Sequence, residues 1–305
     1  MSSPLPFLHR ALRRSLGRDW LAAVGFLAPA LLLLGLFVFY PLAQSVYHSF
    51  TRWDLVQSAT WVGLRNYTLL LDDPRFWQAV RVTAVFTVAT VGISVGLGLT
   101  LALLVDRVLS RRLSRFYQAV FFIPVMVSLV IAATVWLYVL QPEFGPLNHL
   151  LAQLGIEGPR WLRSSAWALP VIIGMNVWRD AGYNMILFLA GLQNVPHEYH
   201  EAAMIDGANG RQRLRYITLP LLAPTTLFVL VVALIRSFLV FTEIHVLTQG
   251  GPADSTLALV YLIWQEGFRY YRAGYSSAIA VVFFLVVLVL SFVQIRLVER
   301  RVHYS

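Results

Sequence analysis

Six stretches of this 305-residue chain are apolar over the length a helix needs to cross a bilayer, and that repetition restricts the fold more than any other feature. A hydrocarbon core about 30 Å thick takes roughly 20 helical residues, because backbone groups surrounded by lipid must be paired within their own segment. The stretches run from Trp20 to Tyr40, Ala79 to Val105, Phe116 to Leu140, Trp167 to Gly191, Leu221 to Leu247 and Ser276 to Ile295. The expected fold class is therefore all-α, a polytopic membrane protein with six transmembrane helices. The first stretch follows Arg10, Arg13, Arg14 and Arg18 and superficially resembles a secretory signal. Its apolar run is longer than a signal core and reaches bulky Phe39 and Tyr40 without a small-residue cleavage site, so it reads as a retained anchor.

Composition removes several chemistries. Only 13% of residues are charged, against about 25% in an average soluble domain. All 24 basic residues are arginine, and cysteine is absent. Without lysine there is no phosphate loop of the GxxxxGK[ST] type, whose ammonium must reach the nucleotide phosphates, so any ATP that drives this chain is hydrolysed by another one. Without cysteine there are no disulfides, thiolate metal sites or thiol nucleophiles. The net charge of +9 does not mark a nucleic-acid surface, because the arginines punctuate the apolar runs and are not gathered on one polar face.

That punctuation orients the chain. Arginines in the N-terminal segment, after the second span (Arg107, Arg111, Arg112, Arg115), after the fourth (Arg211, Arg213, Arg215) and in the tail (Arg296, Arg300, Arg301) number fourteen, whereas the opposite segments hold eight. The positive-inside rule then places both termini in the cytoplasm of a cell-membrane protein. Trp20, Tyr40, Trp77, Trp136, Trp161, Trp167 and Tyr275 fall near span ends, as an interfacial belt requires. The resulting division is a cytoplasmic segment 1–19, a first helix with its outer loop 20–77, a five-helix core 78–297 and a cytoplasmic tail 298–305. Gly92 and Gly96 form a small-xxx-small pair that either admits a neighbouring helix or is ordinary glycine in a membrane helix.

The segment between the fourth and fifth spans, 196–224, is the most informative. Pro196 suits a first helical turn. Tyr199, Ala202 and Ala203 share a face, on which two alanines let a partner approach closely. Gly207 can adopt positive φ and stop the helix, Asn209 can cap a second one, and Pro220 marks its end. The pattern predicts a helix, a turn and a helix at the cytoplasmic surface.

Glu201-Ala202-Ala203, Asp206-Gly207-Ala208, Ile217, Leu219-Pro220 and Pro224 resemble the EAA loop of binding-protein-dependent ABC import permeases. Val62 to Tyr67, Phe76-Trp77, Ile123-Pro124, Leu192 to Pro196 and Thr248-Gln249-Gly250-Gly251-Pro252 are similar to landmarks of the carbohydrate-type branch. Gln265 to Phe268 and Val293 to Tyr304 look like the first permease of glycerol-3-phosphate importers. The resemblance implies the type I importer permease fold with a coupling helix at that loop, and a non-enzymatic subunit. Its implied partners are a second homologous permease, two ATPase subunits that bind the ATP and magnesium, and an extracytoplasmic substrate-binding protein, within membrane lipid. By position Glu201, Ala202, Ala203, Asp206 and Gly207 would carry the ATPase contact. The implied cargo is a carbohydrate, with glycerol 3-phosphate or a glycerophosphodiester as the alternative. An ion-gradient-driven secondary transporter is the rival from another class, and no internal repeat supports it.

Four charges fall inside expected spans: Arg179 and Asp180 in the fourth, Arg236 and Glu243 in the fifth, the last two being seven residues apart and so on one helical face. Such charges face a bundle interior or a wet cavity. Three readings stand: mutual pairing, a polar pathway for sugar hydroxyls shared with Tyr183 and Ser237, or attraction of a phosphate by the two arginines. Tyr183 and Ser237 match positions that line the pathway in similar sugar permeases. His197, Glu198, His200 and Glu201 imitate a zinc-protease run, but the histidines are spaced i, i+3 and no third ligand follows. Neither a metal site nor a catalytic residue is expected.

Overall fold

A computed structural model of the chain describes Trp20, residues 23–108 and residues 110–299. The segment 1–19, with Arg10, Arg13, Arg14 and Arg18, and the tail from Arg300 onward lie outside the described residues.

Among the described residues four helices are long and apolar enough to cross a membrane: α1 (Ala23–Ser49), the span Pro74–Asp106 within α3 (Pro74–Val108), the span Ala223–Leu247, and Ala273–Gln294 within the last helix, Ala273–Glu299. Between α1 and α3 lie a two-stranded antiparallel hairpin, β1 (Thr51–Arg52) and β2 (Thr60–Trp61), and the short helix α2 (Arg65–Asp72). Here Asn66 is buried and donates its side-chain amide to the carbonyls of Ser49 and Thr51 at 2.8 and 2.9 Å, which ties the hairpin to the end of α1.

The third expected span, Phe116 to Leu140, is not one straight helix. It is α4 (Arg111–Met126) followed by α5 (Leu129–Val139), bent by 93° at Val127 and Ser128, both of which are extended. Pro124 sits in the last turn of α4, where its ring removes an amide donor and crowds the carbonyl four residues back. Helix α6 (Pro146–Gln153) precedes the fourth span.

That fourth span, α7 (Ala168–Gln193), has 26 residues but is absent from the four apolar helices because Asn176, Arg179, Asp180 and Asn184 interrupt its middle. It does not need an apolar surface, since it is the central helix: Ile172, Met175, Met185 and Phe188 are fully buried under α3, α4 and α10 (Ala223–Phe238). Close approach is set by glycine on this helix and its neighbour. A Cβ at Gly182 would collide with the carbonyl oxygen of Phe121 in α4, and one at Gly98 of α3 would lie 2.6 Å from the Asn184 Cβ. Gly92 and Gly96 meet nothing within 4 Å, so of the two readings of that pair, ordinary membrane glycine holds within this chain.

Among the described residues the core consists of two apolar clusters. One gathers Phe76, Phe86, Ile172, Ile244, Tyr261 and Ile279 toward one end of the bundle. The other gathers Val95, Met185, Phe188, Leu222 and Val229 toward the opposite end. Polar residues of α3, α7 and the fifth span lie between them.

Candidate functional site

At the arginine-rich end, α7 is followed by α8 (His197–Ile205), a nine-residue helix with no buried residue. Pro196 stands just before it as the cap, with ψ of 133°, rather than inside the first turn. The helix ends as the sequence predicts. Gly207 takes φ of +81°, the Ala208 amide donates to the Ala203 carbonyl at 2.8 Å, and the Gly207 amide donates to the Met204 carbonyl at 3.1 Å. These are the two hydrogen bonds of a Schellman stop, which needs left-handed backbone at the glycine position. Next comes α9 (Gly210–Arg213), capped reciprocally: the Gln212 amide donates to Asn209 Oδ1 at 2.9 Å and the Asn209 amide to Gln212 Oε1 at 2.7 Å. Pro220 does not end the path. A π-helical turn, Leu214–Thr218, leads into a helical turn at Leu219–Leu221, where the missing proline amide falls at a first-turn position. Of the residues singled out here, Glu201, Ala202, Asp206 and Gly207 are exposed and Ala203 is half-buried. Tyr199, Met204, Ile205 and Tyr216 add exposed apolar area, Ile205 being 87% exposed. Large apolar side chains thus stand exposed on a short polar helix, a pattern typical of interaction surfaces.

About halfway along α7 the four intramembrane charges form one chain. Asp180 Oδ1 accepts from Arg236 Nη2 at 3.0 Å and from Arg179 Nε at 3.1 Å, while Arg179 Nη2 lies 3.7 Å from Glu243 Oε1. Two cations and two anions cancel, as burial at this depth demands. The Arg236 guanidinium also stands 4.6 Å over the Tyr183 ring. Ser237 is buried and donates its hydroxyl to the Leu234 carbonyl at 2.9 Å. Arg236 and Glu243 are not on one helical face. The span breaks at Leu239 to Phe241 between α10 and α11 (Thr242–Leu247), and Phe241 leaves the helical region with φ of −142°. The two charges meet through Arg179 and Asp180 instead.

Two features escaped the sequence reading. Thr83, Thr87, Thr90 and Ser94 form a buried hydroxyl ladder along one face of α3. Thr83 Oγ1 accepts from the Leu259 amide, Ser94 Oγ accepts from the Asn184 side chain, and the hydroxyls of Thr87 and Thr90 have no hydrogen-bond partner among the described residues. The i, i+4, i+7, i+11 spacing was the available signal. At the opposite end from α8, Arg75 at the start of α3 joins Asp254 at 3.0 Å and Glu266 at 3.3 Å, and Arg272 reaches the second Glu266 oxygen at 3.0 Å. Glu266 is 2% exposed, and burial pushes its carboxyl above the usual carboxylate range despite both arginines. This bridge binds α3 to the segment between α12 (Leu259–Trp264) and α13 (Ala273–Glu299).

Residues 94–304 match the model of the binding-protein-dependent transport system inner membrane component family. The chain belongs to this family. It is thus a permease subunit, a membrane component and not an enzyme, and the resemblance carried by the 196–224 segment pointed to the same family. Among its relatives is an sn-glycerol-3-phosphate transport system permease protein of Brucella abortus, 40% identical over 281 residues that span 92% of this chain and 95% of that one. A probable ABC transporter permease protein of Pyrococcus horikoshii is 38% identical, covering 87% of this chain and 91% of its own. Among solved structures, a bacterial ABC transporter involved in import of the acidic polysaccharide alginate superimposes with a TM-score of 0.83 at 24% identity, covering 95% of this chain and 99% of that one. A methionine ABC transporter aligns over 76% of this chain and 99% of that one at a TM-score of 0.53 and 19% identity. The fold is therefore that of type I importer permeases.

Proposed function

We propose that this permease forms half of the membrane pathway of an ATP-driven importer for a carbohydrate, with α8 as the element through which a separate ATPase drives it. The observation that carries the reading is the exposed helix α8, stopped by Gly207 and joined to the central helix α7 by only Asn194, Val195 and Pro196. A helix that presents Tyr199, Met204 and Ile205 outward is suited to a cleft on a partner, and closure of two such partners would rock α7. Glu201, Ala202, Ala203, Asp206 and Gly207 are assigned to that contact. The orientation follows from the arginine asymmetry: α8 and both termini face the cytoplasm, and the outer loops face a substrate-binding protein. A second homologous permease completes the pathway, two ATPase subunits hold the nucleotide and magnesium, and the five-helix unit 78–297 is the moving core.

Arg179, Asp180, Tyr183, Arg236, Ser237 and Glu243 are assigned to the pathway. Planar guanidinium and carboxylate groups that already neutralise each other suit a hydroxylated solute, whose hydroxyls both donate and accept. A second reading, glycerol 3-phosphate as cargo, is favoured by the Brucella abortus relative, an sn-glycerol-3-phosphate transport system permease protein. Proteoliposomes holding the whole assembly test both. ATP-dependent uptake of neutral sugar and of sn-glycerol 3-phosphate is measured for the parent, Arg179→Ala and Arg236→Ala. Equal loss of both cargoes removes a specific phosphate role, and selective loss of the ester establishes one. Uptake that continues on an ion gradient after ATP depletion would defeat the importer reading.

A further inference from the structure

The end of the bundle opposite α8 carries a cleft of about 720 Å³ that the central pathway does not use. Its walls come from two parts of the chain that are far apart in sequence: the hairpin and α2 on one side, and the segment entering α13 on the other. Arg52, Trp53, Arg65, Tyr271, Arg272 and Tyr275 are among its lining residues.

The charges in it are unevenly satisfied. Among the described residues Arg52 and Arg65 enter no ion pair, although both are exposed to the cleft. Arg272 is shared with Glu266. The one carboxylate in the lining, Asp54, has its Oδ1 occupied by the Gln57 and Val56 amides at 2.8 and 3.1 Å, which also hold its carboxyl below the usual range. The cleft therefore offers Arg52 and Arg65, neither in an ion pair among the described residues, and Arg272 at its edge, against the single carboxylate Asp54, whose charge Arg52 also attracts.

The walls are fixed before any ligand arrives. Trp53 is stacked on His48 with ring centroids 4.0 Å apart, and its carbonyl accepts from the Gly274 amide at 3.1 Å. Gly274 has no room for a side chain, since a Cβ there would strike the Thr51 carbonyl oxygen. Tyr275 donates its hydroxyl to Asp73 Oδ2 at 2.7 Å, and the Arg272 guanidinium lies 4.5 Å over its ring. A concave site of this volume with a rigid aromatic wall and three arginines in its lining fits a small solute.

We infer that this cleft binds a small anionic polyol, a sugar or glycerol unit bearing a phosphate or carboxylate, with Arg52 and Arg65 holding the anion and Trp53 packing the carbon skeleton. Forked guanidinium donors match the paired oxygens of phosphate and carboxylate, and the cost of ordering the site has already been met by the hairpin. Because Arg272 borders both the cleft and the Arg75–Glu266 bridge, an anion held there competes with Glu266 for the same guanidinium, which links occupancy to the ties at the outer end of α3. The inference takes from the proposed function only the compartment that the cleft faces.

Equilibrium dialysis of the purified full-length chain in lipid nanodiscs tests it, with radiolabelled sn-glycerol 3-phosphate and glucuronate as probes, inorganic phosphate as the bare anion and glycerol as the neutral control. Saturable binding of at least one of the two anionic polyols is expected, weaker binding of inorganic phosphate, and none of glycerol. Arg52→Gln combined with Arg65→Gln is expected to weaken binding at least tenfold. Trp53→Leu is expected to weaken the polyol anions but not phosphate. Absence of saturable binding by both probes, or binding unchanged in the double variant, overturns the inference. So does loss of binding in Arg179→Ala with the double variant unaffected, because that places the ligand at the central charge chain. Capture of only an acidic protein partner at this cleft would overturn it equally. Failure of the importer reading leaves these binding results untouched, since no step of the measurement requires transport.

Discussion

Helix α8 and the charge chain around Asp180 sit on one lever and are built in opposite ways. Asp180 lies thirteen residues before the end of α7, a rise of about 20 Å along one continuous helix. At the buried point every charged group has at least two partners or neighbours, so the arrangement is over-determined and resists change. At the exposed point no residue of α8 is buried, and its C-terminal end is fixed by the Gly207 stop and the turn that follows. The contrast teaches what the proposed coupling role requires: under it, force would enter through an exposed short helix and be received by a tightly cross-linked middle.

The largest expected effect separates function from folding at the exposed end. Gly207→Trp puts a side chain where φ is +81°, a conformation that costs an ordinary residue about 1–2 kcal/mol, yet open space surrounds the position within this chain. ATP-dependent uptake is expected to vanish while the subunits still co-purify. Normal uptake by that variant would count directly against the role given to α8. At the buried end the order reverses. Asp180→Ala leaves Arg179 and Arg236 without their shared acceptor, and removing one partner of a buried pair costs about 3–5 kcal/mol. A fall in folded yield and in thermal midpoint in mild detergent is the expected reading. Adding Arg236→Ala to that variant is expected to restore part of the loss, and strict additivity of the two would show that the pair is not coupled.

Smaller effects sharpen the same contrast. Ile205→Asp, on a residue 87% exposed, is expected to leave the thermal midpoint of the isolated chain within the range of an ordinary surface change, about 0.5 kcal/mol, while reducing recovery of the ATPase in pull-downs. Asn209→Ala removes the α9 cap at a cost of about 1 kcal/mol, seen as faster amide exchange confined to residues 209–213. Exchange spreading into α7 would mean that the two regions are less independent than their construction indicates.

The parts of this design that were legible in the sequence are those written in local chemistry. Apolar length announced four of the six expected spans among the described residues, and Gly207 and Asn209 announced the stop of α8 and the cap of α9 because a glycine stop and an amide cap act within a few residues. What stayed hidden depends on partners distant in the chain. Pro124 warned of a weakened helix but not of a 93° turn, whose angle is set by how α5 packs beyond it. Nothing in Leu239-Val240-Phe241, an apolar run without glycine or proline, betrays the break that carries Glu243 away from Arg236. The close contacts at Gly98 and Gly182 were equally silent, while the more conspicuous spacing of Gly92 and Gly96 packs against nothing within the chain. Pairing of the four charges was one of three open readings, and only the positions of α7 and α11 choose the partners.

The interruption at Leu239 to Phe241 has a consequence for how the fifth span is tolerated in lipid. A helix end leaves its final carbonyls without intrahelical donors, and hydrocarbon offers them none. Val240 is hidden by its own chain, but Leu239 is 61% exposed beside that irregular turn. Here the turn itself supplies donors: the Leu239 and Val240 amides reach back to the Arg236 and Ser237 carbonyls at 3.2 and 3.4 Å, so the stretch of the span that redirects Glu243 closes polar ends of its own and keeps an irregular bend tolerable inside an apolar segment.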